Sequence, residues 1–319
     1  LWSAKAYRHS GVLFFLSLFA FSQQARQYSF RHFTVMNGLA SNLVFDVIQD
    51  NDGYIWMATT NGLQRYDGNS FITFRYQESK QGSLPNLIIN SMYRDKKGRL
   101  WLSFDQTHIG IFDTKKFVYT NVPMPADTQQ TFTGQHFFDT EKGDLILIKH
   151  TRLLLKYDEQ KKQLVDGSKA LPVPANWHVN NLCWDSLSKR YWISADSGIA
   201  QINPANNHVN YRGHNIDNDP VIKAFQDQRA PVGVNVDVDG NVFFFYWVPI
   251  EVYPNIYRYN RKLNKIELSN LYFTLKQYHE IMTYLVQRNG KVWWYGAHFF
   301  AEWDRNPNTY IPPNNQTDA

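Results

Sequence analysis

The chain has 319 residues, a formal net charge of +5, and 16% aromatic and 19% charged residues. This length is sufficient for one large all-β domain with a sizeable core, and the composition excludes a disordered chain. Lys and Arg are scattered and form no basic run, which argues against a nucleic-acid-binding surface. Cys183 is the single cysteine, so the chain has no internal disulfide.

The first 25 residues are typical of a secretory signal peptide. Two basic residues precede the apolar run 11–21, and Ala20 and Ser22 fit a small-x-small cleavage site, while a cut after Ala25 also fits. An uncleaved anchor or a buried strand is the alternative interpretation. The apolar run is much shorter than the roughly 20 residues of a membrane-spanning helix, so we expect export.

Residues 36–76 predict four short antiparallel strands joined by tight turns. Runs of apolar or alternating residues lie at 42–49, 54–59, 63–66 and 71–76. The first three runs end in turns that contain Gly53, Gly62 and Gly68. Asn-Gly and Asp-Gly favour hairpin turns because the backbone there needs positive φ. Four antiparallel strands in about 40 residues are typical of one blade of a β-propeller.

This unit recurs along the chain. The turn glycines Gly53, Gly98 and Gly143 follow one another at intervals of 45 residues, and Gly240 and Gly290 lie 50 apart. We expect an all-β propeller of four-stranded antiparallel blades, with repeats near 30–75, 76–120, 121–165, 166–211, 212–267 and 268–312 and a tail or truncation point at 313–319. The repeat positions are Gly53, Trp56, Gly62, Tyr66, Asp67, Gly98, Trp101, Asp113, Trp192 and Trp293.

The aromatic residue that follows each turn predicts a packing role. A single blade cannot bury both of its faces, so Trp56, Trp101, Trp192 and Trp293 are expected to fill the gaps between neighbouring blades. The turn acids, such as Asp50, have no following bidentate Glu and are interpreted as solvated turn residues, not as calcium ligands. Asp50 lies six residues before Trp56, so the turn is not the Asp box of propeller sialidases.

The repeat resembles a known family. Residues 38–71, GLASNLVFDVIQDNDGYIWMATTNGLQRYDGNSF, are similar to the two-component regulator propeller repeat, and residues 83–86 with the turn before Trp101 repeat the pattern. The family forms the periplasmic sensor regions of hybrid two-component histidine kinases of Bacteroidetes. Later repeats diverge, since Ile146 replaces Trp and Asn203 and Asn260 replace Asp.

The resemblance implies a larger parent protein. Its sensors carry two propellers of seven blades, a β-sandwich, a membrane helix and a kinase, and they form homodimers. Six repeats are visible here, which favours an N-terminal fragment of a membrane-anchored parent in the periplasm, with a stand-alone six-bladed propeller as the alternative. The partners implied are a second propeller and a β-sandwich of the same parent.

No set of residues in the sequence indicates a catalytic site. The histidines are dispersed, no Gly-x-Ser-x-Gly elbow occurs, and Cys183 lies in a predicted inner strand as a small core residue. We therefore predict no catalytic residue, no metal and no cofactor. Paired carboxylates that converge only in space stay possible, so a carbohydrate-cleaving hydrolase or lyase is the alternative, and a structural or adhesion propeller is a third.

A ligand site is expected where loops converge on one face of the ring. The inner strands begin on the same face as the turns between second and third strands, and polar residues with a few aromatics suit an oligosaccharide. The candidate ligand-binding residues are Asn42, Thr60, Asn61, Asn86, Gln106, Thr131, His150, Trp177, His178, Asp196, Arg229 and His279. The predicted function is therefore a sensing propeller for a glycan or similar small ligand.

Overall fold

Alternating strands and glycine turns build six sheets in the part of the chain that the structure describes. The computed structural model describes residues 31–86, 88–104, 108–125, 135–149, 153–225, 231–236, 240–246, 255–268, 283–286, 292–295, 300–304 and 309–311. Each of the six sheets has four strands in sequence order, and every neighbouring pair is antiparallel. The predicted all-β fold of four-stranded blades is confirmed. The predicted signal peptide, residues 1–25, lies outside the described residues.

The strands are numbered in chain order. Blade 1 holds β1 (Val44–Gln49), β2 (Ile55–Thr59), β3 (Gly62–Tyr66) and β4 (Phe71–Phe74), and blade 2 holds β5 (Ser91–Arg94), β6 (Leu100–Ser103), β7 (Ile109–Asp113) and β8 (Val118–Asn121). Blade 3 holds β9 (Gln135–Asp139), β10 (Leu145–Lys149), β11 (Leu153–Asp158) and β12 (Gln163–Asp166). Blade 4 holds β13 (Val179–Asp185), β14 (Arg190–Ala195), β15 (Gly198–Asn203) and β16 (His208–Tyr211).

The last two blades follow the same order. Blade 5 holds β17 (Gly233–Val236), β18 (Val242–Tyr246), β19 (Asn255–Asn260) and β20 (Lys265–Leu268), and blade 6 holds β21 (Thr283–Val286), β22 (Val292–Tyr295), β23 (Phe300–Asp304) and β24 (Thr309–Ile311). A 3-10 helix (Val35–Asn37) precedes blade 1, and helix α1 (Pro220–Ala224) lies between blades 4 and 5. Predicted strands of blade 1 differ from the observed ones by at most two residues at an end.

In two pairs of consecutive blades the first strand lies next to the first strand of the following blade. Strand β1 lies against β5, and β13 lies against β17. The same bond links both pairs: Asp46 Oδ2 accepts the Met92 amide at 2.6 Å, and Asn181 Oδ1 accepts the Val234 amide at 3.3 Å. The first strands are therefore the inner strands, which is the arrangement predicted for a ring of blades.

Trp56, Trp101 and Trp192 pack between neighbouring blades as predicted, whereas this place stays a prediction for Trp293. Trp56 is fully buried, stacked on Phe74 of its own blade at 5.8 Å between ring centres and set edge-on to Phe112 of blade 2 at 5.6 Å. Trp101 is equally buried, and its ring lies 4.9 Å from that of Tyr157 in blade 3.

The turn acids are structural, and the prediction that Asp50 is solvated is wrong. Asp50 is buried, and its carboxylate accepts the Trp56 indole N–H at 2.7 Å and the amides of Asp52 and Tyr54 at 2.9 and 3.0 Å. Asp95 binds the Trp101 indole in the same way at 2.9 Å. A buried indole N–H needs an acceptor, and the turn supplies one at the motif's six-residue spacing.

Blades 3 and 4 depart from this pairing. In blade 3 both members change, because Thr140 replaces the acid and Ile146 replaces the tryptophan. In blade 4 the acid Asp185 lies seven residues before Trp192, and its carboxylate binds Leu187 N and Ser188 N. Among the described residues no acceptor reaches the buried Trp192 indole N–H.

Cys183 lies in the inner strand β13, as predicted. It packs against the apolar cluster that joins blades 4 and 5, next to Trp192 across the ladder. Burial, with a smaller effect of the nearby Asp185, raises the pKa of its thiol. The side chain is partly buried against this cluster, which agrees with the prediction of a small core residue.

Candidate functional site

The strand directions define two faces of the ring. We call the end where inner strands begin and second strands turn into third strands the upper face, and the opposite end the lower face. Fourth strands run in the same direction as second strands, so they also end at the upper face. Of the predicted ligand-binding residues, Gln106, Thr131, His150, Arg229 and His279 lie outside the described residues.

Three of the predicted residues line one cavity between blades 1 and 2. The cavity has a volume of about 270 Å³, and its wall includes Thr60, Asn61 and Asn86. The turn brings Thr60 and Asn61 to the upper face, and Asn86 lies in the connection from β4 to β5. Residues that were predicted from equivalent positions of two separate repeats therefore line one cavity.

Arg75 and Tyr76 line the same cavity and were not predicted. Both follow β4, whose end reaches the upper face. The predicted residues lie only at the starts of inner strands and in the turns between second and third strands. Arg75 Nε donates to the Asn61 carbonyl at 3.1 Å. None of the ion pairs among the described residues includes Arg75, which leaves charged donors available to a ligand.

The turn at the mouth of the cavity is fixed by side-chain hydrogen bonds. Thr60 Oγ1 donates to Ser41 Oγ at 2.6 Å, and Asn61 Nδ2 donates to the Ala40 carbonyl at 3.1 Å. Such bonds hold the loop in one conformation before a ligand arrives, which lowers the entropic cost of binding.

Asn42 has a structural contact. Its Oδ1 accepts the Val35 amide at 2.9 Å and so ties the 3-10 helix to the start of blade 1. It is not among the residues that line the cavity. Its place in the ligand-binding set stays a prediction without support from this cavity.

A second group of predicted residues meets on the upper face of blade 4. Asp196 accepts the His178 amide at 3.0 Å, and its own amide donates to the His178 carbonyl at 3.0 Å. The His178 ring Nδ1 is also hydrogen-bonded to the Asp196 carboxylate. Burial raises the pKa of the Asp196 carboxyl, but hydrogen bonds from His178 and Ser197 outweigh it and lower the pKa to about 2.

An aromatic surface adjoins this His–Asp pair. The Trp177 ring meets Tyr211 edge-on at 5.3 Å, and Tyr211 stacks on His214 at 5.0 Å. Tyr211 and His214 were not predicted, because Tyr211 ends β16 and His214 follows it, and the prediction did not include the ends of fourth strands. Aromatic faces beside polar donors and acceptors suit a ligand with an apolar ring face and a polar rim.

The described residues hold no group of three or more His, Cys, Asp or Glu side chains arranged for a metal ion. None of the helices in the described ranges is both long and apolar enough to cross a membrane. The predictions of no catalytic residue, no metal and no cofactor stay predictions.

Comparison with known proteins identifies the repeat. Residues 38–61 and 83–106 match the family model described as "Two component regulator propeller". These two segments are similar to the two-component regulator propeller repeat. A histidine kinase of Formosa agariphila is 33% identical over 66 residues, which are 21% of this chain and 5% of that protein.

Solved structures share the fold of this repeat propeller. The extracellular domain of a putative hybrid two-component system from B. thetaiotaomicron aligns with a TM-score of 0.59 and 15% identity, over 88% of this chain and 36% of that one. Virginiamycin B lyase from Staphylococcus aureus aligns with a TM-score of 0.54 and 13% identity, over 84% of this chain and 83% of the lyase. The chain thus spans about a third of the first of these structures.

Proposed function

We propose that this chain is the extracytoplasmic sensing propeller of a hybrid two-component system and that its upper face binds an oligosaccharide. The cavity between blades 1 and 2 carries the proposal, because it gathers Thr60, Asn61 and Asn86 with Arg75 and Tyr76. Amide, hydroxyl and guanidinium groups around one aromatic ring match the alternating hydroxyls and apolar faces of a sugar.

The repeat family supports the signalling role. Both matched segments, 38–61 and 83–106, border this cavity, since they contain Thr60, Asn61 and Asn86. In the proposed parent protein the propeller binds the ligand in the periplasm, and a second propeller and a β-sandwich transmit the change to a kinase across the membrane. This span binds and transmits, and it phosphorylates nothing.

The mechanism needs a ligand that discriminates between two arrangements of the parent. A ligand shifts such an equilibrium only by its difference in affinity for the two states. The cavity lies between two blades, so a sugar that contacts Asn61 on one side and Asn86 on the other stabilises one relative position of blades 1 and 2. A homodimer of the parent then converts that preference into a change of kinase activity.

The experiment is a glycan array with the full chain, followed by calorimetry with the oligosaccharide that binds best. Asn86→Ala is expected to weaken binding about tenfold, because one lost polar contact in a site costs roughly 1–3 kcal/mol. Asn69→Ala is the matched control, since Asn69 is an exposed asparagine in the β3–β4 turn at the lower face.

Two results contradict the proposal. One is an array without binding above background; the other is binding that Asn86→Ala and Asn69→Ala affect equally. Turnover of the bound oligosaccharide is measured in the same samples, and cleavage of it supports the carbohydrate-active enzyme in place of the sensor.

A further inference from the structure

The gap between blades 3 and 4 differs from the two gaps before it. In blades 1 and 2 a tryptophan in the second position of the second strand fills the gap and binds the turn aspartate. In blade 3 the same two positions hold Ile146 and Thr140. Both the indole and its acceptor are therefore missing from one gap, while the surrounding strands keep their register.

A cavity of about 280 Å³ lies in that gap, towards the lower face. Its wall includes Thr140, which has the place of Asp50 and Asp95, and Ile202, which has the place of Phe112 and Tyr157 in the preceding blades. Phe112 and Tyr157 are the residues that contact the tryptophans there. The cavity thus borders two of the positions that surround an indole in blades 1 and 2, whereas Ile146 is fully buried beside it and packs with Tyr191 and Ile202.

The inner side of the cavity is aromatic. Trp184 and Tyr191 line it, with their ring centres 4.6 Å apart and their planes inclined by 49°. The Tyr191 hydroxyl accepts the Glu141 amide at 2.7 Å, which fixes the ring. Leu171 and Pro172 complete an apolar wall. A flat aromatic ring is the group that such a wall accommodates best.

The rim of the cavity carries an excess of positive charge. Its two acids already have partners, since Glu141 lies 3.6 Å from Lys96 and Asp144 lies 2.9 Å from Lys156. Its cations Lys142, Lys189 and Arg190 have no carboxylate within ion-pair distance among the described residues. Arg190 instead donates to the main-chain carbonyls of Ser188 and Lys189.

We propose that this cavity binds a small aromatic carboxylate, with the ring in the gap between blades 3 and 4 and the carboxylate at the cationic rim. A volume close to the lower end of ligand pockets, roughly 300 Å³, suits one or two fused rings. The site lies at the lower face and shares no residue with the oligosaccharide cavity, so either proposal can fail without the other.

The probe is indole-3-acetate, titrated into the full chain by calorimetry, with the uncharged indole-3-acetamide as the matched ligand. We expect saturable binding of the acid and at least tenfold weaker binding of the amide. The double variant Lys142→Gln/Lys189→Gln alters exposed side chains only. We expect it to lower the affinity for indole-3-acetate about tenfold and to leave the affinity for indole-3-acetamide unchanged.

The decisive variant restores the missing pair with Ile146→Trp/Thr140→Asp. The introduced indole is larger than the buried Ile146 side chain and is expected to extend past it towards residue 140 in the cavity wall, so binding of indole-3-acetate is expected to be lost. Phe243→Trp, at the same position of blade 5, is the control and keeps the affinity. The proposal is overturned by absent binding of the acid, by equal affinity for acid and amide, or by a filled variant that binds unchanged. If the Ile146→Trp/Thr140→Asp variant does not fold, the affinities of the double lysine variant and of indole-3-acetamide decide.

Discussion

The carboxylate of Asp50 shows how one residue fixes a blade. It accepts the Trp56 indole and two turn amides at once, so the residue closes the β1–β2 hairpin and orients the ring that packs on blade 2. Asp95 repeats the arrangement with Trp101, and Arg99 Nε donates to the same carboxylate at 2.5 Å. The spacing of acid and tryptophan therefore has a structural cause.

Replacement of Asp50 by Ala tests this role. The variant leaves the indole N–H and two turn amides without acceptors, so we expect a loss of about 2–4 kcal/mol in the free energy of unfolding. The matched control is Asp158→Ala, which removes a half-buried turn carboxylate that accepts two amides and lies 3.9 Å from the Lys161 ammonium but binds no indole, and it is expected to cost less than about 1 kcal/mol. Urea unfolding measures both, and equal losses contradict the assignment.

The His178–Asp196 pair predicts a pH dependence. Its hydrogen bonds lower the pKa of Asp196 to about 2, below the ordinary value near 3.8. A carboxyl with a lowered folded-state pKa contributes stability above the ordinary value and loses it as the pH falls towards 2. Because the group is largely exposed, we expect this contribution to stay below about 1 kcal/mol.

Thermal unfolding of the chain and of the Asp196→Asn variant between pH 6 and pH 2 measures the contribution of the Asp196 carboxylate to stability. The difference in stability between the two proteins is expected to be constant from pH 6 to about 4.5 and to shrink as the pH approaches 2. A difference that is independent of pH over the whole range contradicts the proposed cause.

Hairpin turns set the geometry of the strands and of the upper-face cavity. Gly62 has φ +104°, and an added Cβ there clashes with the Phe74 carbonyl oxygen. Gly53 has a similar φ of +92°, but an added Cβ there has no heavy atom within 4 Å. The two glycines differ in surroundings and not in backbone conformation, so they form a natural pair of test and control.

We expect Gly53→Ala to cost roughly 1 kcal/mol from left-handed strain alone, and Gly62→Ala to cost at least about 2 kcal/mol because the backbone of β4 must also move. Chemical denaturation of the two variants gives the comparison. Equal costs contradict the close approach of β3 and β4 at the cavity wall.

Much of the fold was predictable at the scale of strands, because turn glycines and alternating residues recur at fixed spacing. The blade count in the described part and the interblade place of Trp56 and Trp101 followed from that pattern. The Asp50–Trp56 bond was not foreseen, since a turn acid next to Gly53 is solvated in most hairpins. Its identical spacing in the second repeat was the available signal.

The candidate site was predictable only in part. The register brought Thr60, Asn61 and Asn86 to one cavity and His178 next to Asp196, because these positions depend on strand direction alone. It missed Arg75, whose location depends on where the irregular connection after β4 turns. A bulge in β1 and a long connection after β4 are tertiary details that hydrophobic periodicity does not encode.

At the scale of the whole molecule, blade 1 exposes the face that points away from blade 2. Val47 is 56% exposed, whereas Met92 and Leu182, at the same repeat position of blades 2 and 4, are 5% and 9% exposed. Phe45 and Leu43 are exposed beside it. A patch of large apolar residues at a position that is buried elsewhere marks an interface.

We predict that a further blade of the parent protein covers this face in a seven-bladed ring. Val47→Cys is then modified rapidly by a maleimide in this chain and slowly in the parent protein. Leu187→Cys, at an exposed lower turn, is modified in both, and the partly buried Cys183 of the unsubstituted chain gives the background. Equal modification of Val47→Cys in the two proteins contradicts a covering blade.

The central claim is that the upper face of this propeller binds a sugar. Hydrogen–deuterium exchange of the full chain, with and without the oligosaccharide that binds best on a glycan array, tests it most directly. The account predicts slower exchange in peptides that cover 58–62 and 84–90, with the lower turns 50–53 and 95–98 unchanged. Protection confined to those lower turns, or no oligosaccharide that binds, contradicts it.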